Sequence, residues 1–135
     1  MASSAVPDGH VSRHGSSTGH ADDRRHHAAT LGPSLPDAHV QTAVAYLDML
    51  AEPTRLRLLW ALRDGELGVS TLAETARCTP TAASQHLAKL RLAGLVDQRA
   101  EGRARYYRLR GDHIRRLLDE ALGQAEHEVL GLPHD

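Results

Sequence analysis

Two short helical patterns joined by two or three residues limit the possible folds of this chain more than any other feature of its sequence. The spacing of apolar residues predicts one helix over residues 70–77, starting at Ser70 or Thr71, and another over residues 79–93. Helices joined so closely form a helix-turn-helix. Two strand patterns follow, on either side of a basic tip at residues 101–103. This order of elements predicts a winged helix-turn-helix, a mainly α fold with a small β-hairpin wing (α+β).

Further helical patterns flank this unit. One begins at Ala38, one begins near Pro53, and a last amphipathic one spans about residues 112–130. The N-terminal residues, by contrast, contain five of the ten His among Ser, Gly and Pro, and too few large apolar side chains to offset the entropy lost on folding. We therefore predict three segments: a disordered His-rich tail at 1–37, a winged-helix domain at 38–131 and a short C-terminal tail at 132–135.

The charges are distributed unevenly along the chain, although 16 Lys and Arg nearly balance 17 Asp and Glu. Residues 80–116 hold nine basic and three acidic residues, a charge of +6, whereas residues 117–135 hold five acidic residues and no Lys or Arg, a charge of −5. The basic middle favours a polyanion such as double-stranded DNA as partner, and the acidic, His-containing end favours a cation. With one Cys and no secretory or membrane-spanning pattern, the expected location is cytoplasmic, with no membrane partner.

The second helix of the pair has a polar face suited to DNA. Ala83, Leu87 and Leu90 share one buried stripe, so the polar side chains of this helix point outward. Gln can pair with adenine, Ser and Thr with either base edge, and Lys with phosphates, while the Arg residues of the wing could reach an adjacent minor groove. His86 lies at the edge of the stripe, where packing and a DNA contact are equally open. The predicted DNA-binding residues are Thr81, Ser84, Gln85, His86, Lys89, Arg103 and Arg105.

Several segments together resemble the ArsR/SmtB family of metal-responsive repressors. They are LAEPTRLRLL at Leu50–Leu59, SQHLAKL at Ser84–Leu90, the following Gly94-Leu95-Val96, and the RYYRL strand, and the resemblance runs from Ala38 to about Leu130. It implies a transcriptional repressor, not an enzyme. It also implies a homodimer built by the first and last helices, which binds a pseudo-palindromic operator and leaves it when an inducer binds.

The last helix carries the candidate metal ligands. His113 and His127 lie 14 residues apart, within about 40° on one face of an ideal helix but roughly 21 Å apart along its axis. One ion cannot bind both on one helix, because a donor lies about 2 Å from its metal. Two antiparallel helices of a dimer would instead bring His113 of one subunit near His127 of the other, giving two equivalent sites.

Within the family, the end of the chain resembles the KmtR-type nickel/cobalt sensors. This resemblance implies Ni2+ or Co2+ as inducer and His113, Glu126, His127 and His134 as ligands, with Asp135 at the place of a second tail His. Glu126 is about 140° from His113 around an ideal helix, so it can join the site only if the helix end frays or the helices are offset.

Other interpretations stay open. Imidazole binds nickel, cobalt and zinc alike, so a zinc-responsive repressor, or a metal-independent one, is the main alternative. A His-rich metal-buffering protein is a remote one, and its metal binding would survive deletion of residues 38–111. Cys78 has no second Cys with which to form a thiolate pair. A zinc peptidase is disfavoured because His127-Glu128 begins a His-Glu-x-x-His pattern that Gly131 breaks.

Overall fold

A computed structural model of the chain describes residues 32–131 and residue 133. The chain divides into two units, Met1–Asp37 and Ala38–Asp135. Most of the predicted N-terminal tail, and all of the predicted C-terminal tail except residue 133, lie outside the described residues, so both tails remain predictions. The described elements are α1 (Asp37–Leu50), α2 (Pro53–Ala61), β1 (Leu67–Gly68), α3 (Val69–Ala76), α4 (Pro80–Leu92), β2 (Val96–Glu101), β3 (Ala104–Leu109) and α5 (Asp112–Leu130).

Two helices begin at side chains that cap them. The carboxylate of Glu52 accepts hydrogen bonds from the backbone N–H of Thr54 at 3.1 Å and of Arg55 at 2.7 Å, at the start of α2. Thr79 caps α4 in the same way, because its hydroxyl accepts from the backbone N–H of Ala82 at 3.0 Å. Each cap satisfies amide groups that have no partner inside the helix.

The turn between α3 and α4 consists of residues 77–79. Arg77 ends α3 in the left-handed conformation, with φ 59°, which costs a residue other than Gly roughly 1–2 kcal/mol. The next backbone N–H, that of Cys78, donates to the carbonyl of Ala73 at 2.9 Å and so closes the end of the helix. The predicted helix-turn-helix is confirmed.

The start of α3 differs from the prediction. A short strand that the sequence did not indicate, β1, pairs antiparallel with β3 and leads directly into the helix. The helix therefore begins at Val69, after Gly68, and without a side-chain cap. The predicted start at Ser70 or Thr71 is wrong by one or two residues, because the pairing of β1 fixes the entering chain.

The wing is a hairpin in a three-stranded sheet of order β1-β3-β2. Its strands pair from Val96↔Leu109 to Glu101↔Ala104, so only two residues connect them. Gly102, the first of these, has φ 59°, a value that a type II′ hairpin turn requires at this position. Glu101 thus belongs to the strand and not to the tip, which is one residue shorter than predicted.

One core joins the wing to the helices. The buried stripe of α4 (Ala83, Leu87 and Leu90) is present as predicted, with each side chain 0% exposed. It packs in a single cluster with buried residues of α2, α3, the sheet and the first half of α5. Because α4 is held on this stripe, the polar side chains on its opposite face are left on the surface.

The two terminal helices carry exposed apolar side chains. Val44 of α1 is 59% exposed and Val129 of α5 is 84% exposed, and Val40, Leu47 and Leu130 are exposed as well. Only the C-terminal end of α1 packs on the core, through Leu50 and its neighbours. Within the described residues, no helix is long and apolar enough to span a membrane.

Candidate nucleic-acid interface and metal-ligand positions

The outer face of α4 presents the polar side chains that the sequence assigned to DNA. Thr81, Ser84, Gln85 and Lys89 are all exposed. Thr79 caps the start of α4. Thr79, Pro80 and Thr81 are exposed, so the first turn of the helix lies at the surface beside this face. The arrangement leaves hydrogen-bonding groups exposed along one face of α4.

His86 is placed differently from its neighbours on α4. Its side chain is 23% exposed, and its Nδ1 lies 3.9 Å from Oε2 of Glu52, the N-cap of α2. That ring nitrogen is the one buried side-chain nitrogen or oxygen atom within residues 32–131 that has no hydrogen-bond partner. Of the two roles that the sequence left open for His86, this position favours packing inside the domain over a direct contact with DNA.

The arginines of the wing fall into two groups. Arg99 is held by two carboxylates, with its Nη2 2.7 Å from Glu66 and its Nη1 2.8 Å from Glu101, and its guanidinium stacks on the ring of Tyr106 at 4.7 Å. Hydrogen bonds with Glu66, and then with Glu101, raise the pKa of Arg99 above its ordinary value. The guanidinium of Arg99 in turn lowers the pKa of Glu66. The ion pair of Arg99 with Glu66 therefore joins the wing to the loop before β1.

A third carboxylate, that of Asp97, pairs with the arginines at the end of the hairpin opposite its tip. Asp97 lies 2.7 Å from Nε of Arg110 and 3.9 Å from Nε of Arg108. Arg103 at the tip and Arg105 on β3 are exposed, and in the part of the chain that the structure describes neither makes an ion pair. The positive charge available to a phosphate is thus concentrated at the tip.

This division predicts different salt effects for two arginines. Arg103→Ala should reduce by about 1 the slope of log affinity for DNA against log salt concentration, as expected for one lost phosphate contact. Arg99→Ala should leave the slope unchanged, because its charge is already balanced by two carboxylates. Fluorescence anisotropy of labelled duplex DNA at several salt concentrations measures both slopes. Equal slopes for the two variants would contradict this assignment.

The predicted metal ligands lie at the two ends of α5. His113 and Glu126 are exposed and His127 is partly buried. The helix is unbroken from Asp112 to Leu130, so the two His remain roughly 21 Å apart. Among the described residues, no three His, Cys, Asp or Glu side chains are grouped so that they could hold a metal ion. Imidazole and carboxylate donors fit nickel, cobalt or zinc, but one copy of α5 cannot unite them; His134 lies outside the described residues.

Comparison with known proteins gives the family. Residues 50–99 match the model of a helix-turn-helix domain. The HTH-type transcriptional regulator KmtR of Mycobacterium tuberculosis (strain ATCC 25618 / H37Rv) is 44% identical over 106 residues, which cover 78% of this chain and 82% of KmtR. This chain belongs to the ArsR/SmtB family of transcriptional regulators. Members of this family regulate transcription and are not enzymes.

Two solved structures show the same ArsR/SmtB winged-helix fold. The AntR antimony-specific transcriptional repressor superposes with a TM-score of 0.68 at 30% identity, covering 76% of this chain and 94% of AntR. The homodimeric winged helix-turn-helix DNA-binding domain of Mb0332 from Mycobacterium bovis, a possible ArsR-family regulator, has a TM-score of 0.64 at 29% identity, covering 76% of this chain and 98% of that domain. In this fold, α4 is the recognition helix and β2–β3 is the wing.

Side chains that sequence patterns did not reveal hold this ArsR/SmtB domain together. Gln98 links the recognition helix to the wing, because its Oε1 accepts from Arg91 at 2.8 Å and its Nε2 donates to the hydroxyl of Tyr107 at 3.0 Å. Arg63, just after α2, donates from Nε to Asp119 of α5 and stacks on Trp60 at 5.0 Å. The hydrogen bonds of Gln98 and Arg63 join different elements of the fold, and that of Arg63 with Asp119 spans 56 positions of the sequence, so no local pattern marks them.

Proposed function

We propose that the chain is a dimeric repressor that binds operator DNA and is released from it by Ni2+ or Co2+. The observation that carries the proposal is the unbroken α5, which bears His113 and His127 on one face and too far apart for a single ion. The DNA-binding half rests on the exposed polar face of α4 and the cationic tip of the wing.

Dimerisation would cover the apolar side chains that a single chain leaves in water. Val40, Val44 and Leu47 on α1, and Val129 and Leu130 on α5, are at least 40% exposed. The Mb0332 domain, which has the same fold, is homodimeric. A two-fold dimer places two recognition helices in successive major grooves, roughly 34–36 Å apart, and so favours a pseudo-palindromic operator.

Each group on the DNA-binding surface has a distinct role in this proposal. Gln85, Ser84 and Thr81 face base edges in the major groove, where Gln is suited to adenine. Lys89 contacts the phosphate backbone, while Arg103 and Arg105 contact phosphates or the minor groove beside the wing. His86 lies partly buried inside the domain and does not face the DNA.

Metal would be held between subunits, by His113 of one and by His127 and Glu126 of the other, with His134 as a further donor. When bound, the ion supplies coordination bonds between the α5 helices of the two subunits. Asp119 on the same helix is paired with Arg63 at the end of α2. A change in how the α5 helices pack would therefore shift α2, which lies against the recognition helix in the core. This shift would alter the spacing of the two recognition helices.

The proposal is tested by titrating operator binding with metal. An operator is first selected from random duplex DNA with the metal-free protein, and its affinity is then measured by anisotropy with increasing Ni2+, Co2+ or Zn2+. Nickel or cobalt is expected to lower the affinity at least about fivefold, the lower end of ordinary allosteric coupling, with two ions bound per dimer. Release by zinc alone would favour the zinc-responsive alternative, and no release by any metal would contradict the proposed inducer. Metal binding that persists after deletion of residues 38–111 would favour the metal-buffering alternative.

A further inference from the structure

The contact between His86 and Glu52 joins the recognition helix to the start of α2. His86 lies in the middle of α4, and its buried Nδ1 is 3.9 Å from Oε2 of Glu52. This separation is too long for a hydrogen bond. The imidazole therefore faces an acceptor that it does not reach in this state of the protein.

Glu52 is fixed in place by the chain around it. Its two carboxylate oxygens accept hydrogen bonds from the backbone N–H of Thr54 and of Arg55. The Nε of Arg55 donates in turn to the carbonyl of Met49 at 2.8 Å, and this hydrogen bond holds Arg55 at the end of α1. The backbone N–H of Arg55 lowers the pKa of Glu52, so the carboxylate is ionised at neutral pH. A fixed anion thus faces a ring nitrogen on the neighbouring helix.

A buried polar atom without a partner destabilises a folded protein. The His86 nitrogen therefore adds nothing to the stability of the free protein in this position. A state of the protein that supplied a partner for this atom would gain one hydrogen bond. Because His86 belongs to the recognition helix, the state to compare with the free protein is the protein bound to DNA.

We propose that His86 and Glu52 are positioning residues for operator binding, and that Nδ1–H of His86 donates to Oε2 of Glu52 when α4 is seated in the major groove. An ordinary N–H···O length requires the two atoms to approach by about 1 Å. Neither side chain touches DNA. Because the hydrogen bond forms only in the bound state, its free energy adds to affinity and not to folding.

This proposal rests on the proposed operator binding by α4 but not on any metal, so it is tested on the metal-free protein. His86→Leu removes the buried nitrogen, and Glu52→Ser keeps a preferred N-cap residue while removing the carboxylate. Each variant should lose about tenfold in operator affinity, the effect of one hydrogen bond to a charged group. The double variant should be no weaker than either single variant, while the melting temperature of His86→Leu should equal or exceed that of the wild type.

Two comparisons separate positioning from a direct DNA contact. His86→Leu should leave the salt dependence of binding unchanged, whereas Lys89→Ala, on the exposed face of the same helix, should reduce the slope by about 1. His86→Asn, which keeps an N–H donor near the place of Nδ1, should recover part of the affinity that His86→Leu loses. As a control, Ser84→Ala combined with Glu52→Ser should give additive losses.

Several results would overturn the proposal. They are additive losses in the His86 and Glu52 double variant, full affinity in Glu52→Ser, and a salt slope lowered by His86→Leu. Any of these, with the wild-type protein binding its operator, would refute the pairing alone. A wild-type protein that selects no DNA sequence would refute the proposed function and the pairing together.

Discussion

Replacing Ser84, Gln85, Arg103 and Arg105 together by alanine is expected to lower operator affinity at least about a hundredfold. One good base contact contributes about 1–3 kcal/mol of discrimination, and each lost phosphate contact weakens binding further, so the sum exceeds the roughly 2.8 kcal/mol that a hundredfold change requires. All four side chains are exposed. The variant should therefore fold and melt like the wild type while losing preference for its operator over random DNA.

A matched control variant separates this surface from the general effect of removing charge. Ser70, Gln124, Arg115 and Arg116 are likewise one Ser, one Gln and two Arg, and all are exposed on α3 and α5, outside α4 and the wing. Replacing them by alanine removes the same net charge and should change operator affinity far less. Anisotropy at one fixed salt concentration compares the two variants. Wild-type affinity in the first variant, or equal losses in both, would mean that DNA binds elsewhere.

The helices of the domain could be predicted because each has its own local signal. The buried stripe of Ala83, Leu87 and Leu90 recurs at helical spacing, and capping at Thr79 marks the start of α4. The hairpin is equally local, since Gly102 supplies the positive φ of its turn. Periodicity and capping act over a few residues, so these elements can be predicted from one sequence.

The contacts that organise the candidate site could not be predicted in this way. Arg99 looks like one more wing cation in the sequence, but its partner Glu66 is 33 residues away. Arg63 and Asp119 are 56 residues apart. The strand β1 is only two residues long and owes its existence to pairing with β3. Such features depend on the tertiary arrangement, which periodicity does not encode.

The metal site depends on an arrangement beyond a single chain. A shared face on a helix and a family resemblance predict His113 and His127 as ligands, and the observed α5 keeps them on one continuous helix. Whether they meet is decided by how two copies of α5 pack. Substitutions at these two positions therefore act on the dimer and not on a single chain.

His113→Ala and His127→Ala are each expected to leave a dimer that binds its operator but no longer responds to nickel or cobalt. Both variants remove a donor without disturbing the core, since neither side chain is among the buried residues of the described chain. The loss should cover the whole metal-induced change in affinity, at least about fivefold.

His134→Ala should be milder, because ordering a tail donor costs entropy that a water ligand avoids. An abolished response in His134→Ala alone would make the tail a primary ligand.

Mixing the two variants tests directly whether each site is shared between subunits. In a heterodimer of one His113→Ala subunit and one His127→Ala subunit, one intersubunit site lacks both His and the other keeps both. The heterodimer should therefore bind about half of the metal that the wild-type dimer binds, although both parent homodimers have lost it. Subunits carrying different affinity tags allow the heterodimer to be purified, and metal per dimer is measured by equilibrium dialysis.

A control dimer of two differently tagged His113→Ala subunits should recover no metal binding. If the mixed heterodimer also recovers nothing, the two His do not meet across the interface, and α5 would have to bind its inducer in some other way.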